Sequence, residues 1–65
     1  MKLRFNGEAR EVSAGTVLEL LEELGFPADR TVVEQNAVIV PRDSYGNAPL
    51  GDGDVLELVR IVGGG

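Results

Sequence analysis

The sequence predicts an α+β fold in which one helix packs across a β-sheet. Three observations lead there. Apolar residues take up helical spacing in a single stretch, "TVLELLEELG", and strand-like runs lie before and after it. Turn-forming dipeptides, Asn6-Gly7 and Asp52-Gly53, punctuate those runs. Finally, 65 residues of which 43% are apolar make one domain with one core. There is no cysteine for a disulfide, and neither cysteine nor histidine for zinc, so the core alone must hold the fold. A chain this short buries only about 60% of its unfolded surface, so its stability should be modest.

The elements follow in order. Leu3 and Phe5 alternate with Lys2 and Arg4, and Asn6-Gly7 is the preferred pair for a two-residue type I′ turn, because both positions tolerate positive φ. The first hairpin is therefore Met1–Phe5 with Glu8–Ser13. Val17, Leu20, Leu21 and Leu24 fall at i, i+3, i+4 and i+7 and predict a helix over 17–24. Thr16 and Glu19 have the spacing of a capping box, and Gly25 supplies the left-handed stop. After a turn at Pro27–Arg30, "VVEQNAVIV" reads as two short strands, Val32–Gln35 and Val38–Val40, hinged at Asn36-Ala37. Pro41 lacks a ladder donor and ends the second. "RDSYGNAPLGDGD" is loop, and Asp52-Gly53 turns the chain into the last strand, "VLELVRI". Alternation along that strand sends Leu56 and Leu58 to the core and Val55, Glu57, Val59 and Ile61 to the other face.

Charge and residue inventory then exclude function classes. A net charge of -5 argues against a nucleic-acid binder, which needs a basic face; it serves solubility and permits docking to a positively charged protein surface. No run approaches the roughly 20 apolar residues of a membrane span, and "LRFN" after Met1-Lys2 gives no signal-peptide core, so the chain is expected in the cytoplasm without a membrane partner. With no histidine, Ser13, Ser44 and the single lysine have no base to activate them, so no catalytic residues are assigned and no enzyme is expected. "DGD" at 52–54 lacks the spaced ligands and closing glutamate of a calcium loop and reads as a turn, leaving no metal site. Glu19, Glu22 and Glu23 fall off the apolar stripe, on a solvated helix face. No glycine-rich turn joins a strand to a helix, so no phosphate cradle is present.

The remaining feature is the ending, "VRIVGGG". Glycine has no Cβ, so Gly63, Gly64 and Gly65 can thread a channel too narrow for other residues. The final carboxylate, with a pKa of about 3.3–3.7, is ionised at neutral pH and a poor electrophile until a partner turns its oxygen into a leaving group, as adenylation would. Three extended residues reach at most about 10 Å, so the domain over 1–62 must park at the partner's mouth, with 63–65 as a flexible tail. Val59, Arg60, Ile61 and Val62, the residues nearest the tail, are the candidate docking surface, although valine and isoleucine there are also ordinary strand formers.

Taken together, these pieces resemble the thiamine-biosynthesis sulfur carrier family, ThiS, among the ubiquitin-like β-grasp carriers. The resemblance spans the chain: a short first hairpin, the Thr-Val-x-Glu-Leu-Leu helix, "VVEQNAVIVPRDSY" with Asn36, Pro41 and Arg42 in the family's pattern, "DGDVLEL", and the Gly-Gly end. It implies a mixed sheet whose first and last strands run parallel at its centre. It further implies that Gly65 is adenylated by a ThiF-like adenylyltransferase using ATP and magnesium, while this chain itself binds no cofactor. The adenylate would become a thiocarboxylate with sulfur from a cysteine desulfurase, and a ThiG-like thiazole synthase would take that sulfur. Gly64 matches the family's penultimate glycine, and Gly63 stands where some members carry alanine. Three other readings fit the same ending: a carrier for molybdopterin or cysteine synthesis, a ubiquitin-like modifier, and an interaction module whose tail does no chemistry.

Overall fold

Asn6 and Gly7 adopt φ of 48° and 85°, the positive pair that a tight hairpin requires, and so β1 (Lys2–Phe5) folds back on β2 (Glu8–Glu11). The computed structural model describes residues 1–62. β2 stops two residues short of the expected Ser13, because the Ser13 N–H turns to the Glu23 carboxylate on the helix, at 3.2 and 3.3 Å. Helix α1 (Val17–Leu24) has the predicted ends: Thr16 Oγ1 accepts from the Glu19 N–H at 3.2 Å, and Gly25 sits at φ 81°. The Glu19 carboxylate reaches one residue further back than a capping box requires, accepting from the Gly15 N–H at 2.8 Å.

A 3-10 turn at Ala28–Arg30 leads into β3 (Thr31–Gln35), which pairs antiparallel with β4 (Val38–Val40). Next comes the main departure from expectation. Residues 42–54 are not loop throughout, since Arg42–Asn47 form a second 3-10 segment lying against α1. Tyr45 accounts for it: its ring is buried, and a buried phenol needs an acceptor, which it finds at 2.6 Å in the Thr31 carbonyl. The segment after it is stitched to the start of α1, with Val17 N donating to Ala48 O and Leu50 N to Gly15 O, both at 2.9 Å.

The last strand, β5 (Val55–Arg60), runs parallel to β1 and antiparallel to β3, so the sheet order is β2-β1-β5-β3-β4. Helix α1 covers one face. There Leu3, Val33, Leu56 and Leu58 meet Val17, Leu20 and Leu21, with Phe5, Leu24 and Phe26 packed against this core. Both core assignments for the last strand hold, and Leu24 is only partly buried at the helix end. Among the described residues no helix is long and apolar enough to cross a membrane.

Candidate functional site: the exit of the central strand

The strand leading to the chain's end is the best anchored in the sheet. Asparagine side chains extend its hydrogen bonding on both edges, one from each hairpin turn. From the β1–β2 turn, Asn6 accepts from the Leu58 N–H at 2.9 Å and donates to the Leu58 carbonyl at 3.2 Å. From the β3–β4 turn, Asn36 takes the Val55 N–H on its side-chain oxygen at 3.0 Å, while its own backbone N–H donates to Val55 O at 2.7 Å. Past the ladder, Ile61 N still donates to Arg30 O at 2.7 Å. β5 therefore holds its register up to the last residues before Gly63.

Asp54 secures the entry to the same strand. Its carboxylate accepts from Gln35 Nε2 at 2.8 Å, Asn36 Nδ2 at 3.0 Å and the Gly51 N–H at 2.8 Å. Partial burial pushes its pKa up, but the hydrogen bonds from Asn36, Gly51 and Gln35 outweigh that and hold it below the ordinary value. Asp52 accepts from the Lys2 N–H at 2.8 Å, and Gly53 takes φ 87°. The "DGD" stretch is thus the turn its sequence suggests. Among the described residues, no three acidic, histidine or cysteine side chains are grouped to hold a metal ion.

The four candidate docking residues do not share one face. Val59 is 60% exposed on the side away from α1, and Ile61 and Val62 follow it at 49% and 78%. Arg60 points the other way, with its guanidinium 5.6 Å from the Phe26 ring centroid and Nη2 donating to Gly25 O at 3.3 Å. Alternation along a strand separates neighbours in this way. Gly63, Gly64 and Gly65, the expected tail and sulfur attachment point, lie outside the described residues. Sequence reading missed the two asparagine clamps. The only signal for them was that each asparagine occupies a hairpin turn, where its side chain can reach the neighbouring strand. On the helix, Glu19, Glu22 and Glu23 are exposed, and Glu19 and Glu23 serve as acceptors for Gly15 and Ser13 N–H groups.

A mixed five-stranded sheet, with parallel first and last strands at its centre and one helix across it, is the ubiquitin-like β-grasp. The α+β expectation is met in its specific form. Comparison with known proteins narrows the class: the model of the ThiS family matches residues 3–65, and the chain belongs to that family. It is 36% identical over 66 residues to the sulfur carrier protein ThiS of Escherichia coli, covering 100% of both chains. A crystal structure of the thiamine biosynthesis protein ThiS from Geobacter metallireducens superposes with a TM-score of 0.84 at 32% identity, again covering 100% of each. A thiazole synthase of Paramagnetospirillum magneticum is 48% identical over 66 residues; the match takes in 100% of this chain but 20% of that protein, so the chain spans about a fifth of this relative's length.

Proposed function

We propose that this chain is a cytoplasmic sulfur carrier for thiazole formation in thiamine biosynthesis and acts as a co-substrate, not as an enzyme. The Gly65 carboxylate attacks the α-phosphorus of ATP in a ThiF-like adenylyltransferase that holds magnesium, giving a glycyl adenylate and releasing pyrophosphate. A persulfide charged by a cysteine desulfurase then displaces AMP at the carbonyl carbon through its outer sulfur, and a second thiol reduces the resulting acyl disulfide, leaving a thiocarboxylate on Gly65 and a disulfide between the two thiols. A ThiG-like thiazole synthase draws its ring sulfur from that group.

One observation carries the reading. Thiazole synthases of Paramagnetospirillum magneticum and Magnetococcus marinus each hold a 66-residue stretch matching all of this chain, at 48% and 44% identity, while sulfur carrier proteins match it from end to end. Fusion of a carrier to a synthase makes chemical sense when one hands its cargo to the other, because a tether raises the effective concentration of the partner.

On this reading Gly63 and Gly64 thread the partner's channel, and Val59, Ile61 and Val62 seat the domain at its mouth, with Arg60 available to the partner only from the opposite side of the strand. The test is intact-mass analysis of the chain after incubation with the adenylyltransferase, ATP, magnesium, a desulfurase charged with cysteine, and a thiol reductant. An oxygen-to-sulfur mass increase located on Gly65, and its loss when thiazole synthase and its carbon substrates are added, is the expected result. Sulfur that reaches Gly65 but is released only to a molybdopterin precursor or a cysteine precursor would move the chain to another pathway; an isopeptide bond to a second protein would make it a modifier.

A further inference from the structure

The two neighbours of the last strand support unequal lengths of it. β3 accompanies β5 from Gln35 opposite Leu56 to Thr31 opposite Arg60, whereas β1 pairs with it only where Arg4 meets Val55 and Phe5 meets Leu56, and then turns away. The half of β5 nearest the tail therefore has a strand along one edge alone. On the other edge the Asn6 side chain stands where a strand would continue. Its Oδ1 accepts from the Leu58 N–H at 2.9 Å and its Nδ2 donates to the Leu58 carbonyl at 3.2 Å, so one side chain satisfies both backbone groups of that residue.

The hairpin turn does not by itself require this residue. At φ 48° ahead of Gly7, asparagine, aspartate and glycine all suit a type I′ turn. Among the three, only asparagine carries an acceptor and a donor on one planar group, the combination that answers an N–H and a C=O of the same partner. Aspartate lacks the donor at neutral pH and would set a charge against the Leu58 carbonyl. Glycine offers neither group.

We propose that Asn6 is a positioning residue for activation of the C-terminus: by holding Leu58 it fixes the direction in which β5 leaves the sheet, and so aims the Gly65 carboxylate at the α-phosphorus of ATP. The inference rests on the carrier reading and deepens it. It requires no contact between Asn6 and the partner. Without the clamp, the residues after Leu56 hang from β3 alone, by bonds such as Ile61 N to Arg30 O at 2.7 Å, and the end of the strand can swing about that edge. A displacement of about one ångström at the reacting atom is enough to slow the step severely. The exposed apolar side chains of Val59, Ile61 and Val62, which seat the domain, are unchanged by the loss.

The test measures ATP–pyrophosphate exchange catalysed by the adenylyltransferase with wild type, N6G, N6D and V12A, alongside amide hydrogen exchange of each carrier. N6G keeps the turn and removes the clamp. It should speed exchange of the Leu58 amide and lower kcat by about tenfold or more, with KM for the carrier within about twofold of wild type. N6D keeps the turn and the acceptor but loses the donor; it should lower kcat in the same direction and preserves the comparison if N6G does not fold. V12A is the stability control: Val12 is 5% exposed and its N–H bonds to Met1 O, beside the start of β1 and away from the exit. It should lower the urea midpoint and leave kcat unchanged. Failure of wild type to support exchange would remove the carrier reading itself. With wild type active, three results would each overturn this inference alone. Wild-type kcat in the folded Asn6 variants would mean that the clamp aims nothing, a raised KM at constant kcat would make Asn6 a contact with the partner, and an equal kcat loss in V12A would tie the effect to stability.

Discussion

At the residue scale, Ala37 is an anomaly of the β3–β4 turn. It holds φ 71° beside Asn36 at φ 53°, while the matching turn of the first hairpin places Gly7 at its second position. A Cβ in the left-handed region costs about 1–2 kcal/mol, and glycine gives back about 0.4–1 kcal/mol through the greater freedom of its unfolded chain. Ala37→Gly should therefore stabilise the protein by about 0.5–1 kcal/mol, seen as a higher urea midpoint at unchanged slope. Asp54 yields a prediction of opposite sign. Its folded pKa lies below the ordinary 3.8, so its contribution is present in full above that value and is lost as pH falls through the folded one. Asp54→Asn should lower stability at pH 7 and flatten the acid-side decline seen in wild type, measured as urea midpoints at pH 7 and pH 3. The asparagine amide would also set its own donors against those of Gln35 and Asn36, so the loss at pH 7 should be about 1–3 kcal/mol.

At the scale of elements, helix α1 and the segment around Tyr45 divide the core between them. Leu20 has no exposed surface at the centre of the helix stripe. Leu20→Ala should cost about 2–5 kcal/mol, enough to leave a domain of this size largely unfolded by circular dichroism at room temperature. Tyr45→Phe removes only the hydroxyl bonded to Thr31 O and should cost about 1–2 kcal/mol, with the helix signal intact. These two residues also mark what the sequence could and could not reveal. Val17, Leu20 and Leu21 announce their helix because burial on one face imposes a period, and Thr16 and Gly25 bracket it through local backbone chemistry that needs no tertiary partner. The Arg42–Asn47 segment has no such period. Its shape follows from one tyrosine seeking an acceptor on β3, a long-range contact that spacing along the chain does not encode. The same limit hid the clamps of Asn6 and Asn36, which read locally as turn formers yet bond to a strand distant in sequence.

For the whole molecule, the fold turns a short chain into a rigid handle. β5 lies in the middle of the sheet, hydrogen-bonded on both edges and packed on α1 through Leu56 and Leu58, so it leaves the domain in a fixed direction. The sequence made the strand, its exposed valines and, through alternation, the separation of Arg60 from Val59 legible, but not what Arg60 meets on its own side. Its guanidinium lies over Phe26, a residue beyond the helix that spacing along β5 does not point to. A handle of this kind suits a protein whose reactive group must enter another protein's active site, because a strand hydrogen-bonded as far as Ile61 leaves little orientation entropy to lose on docking. What enters must then be slender. If Gly64 passes through a channel closed to any Cβ, Gly64→Ala should leave the urea midpoint unchanged, since the buried core of the described residues is built between Leu3 and Leu58. The same change should lower kcat/KM for adenylation by about a hundredfold or more, the usual scale when a reacting group is misplaced by an ångström. Stopped-flow release of pyrophosphate measures this directly, and equal rates for both proteins would mean that the partner's channel does not require the bare backbone.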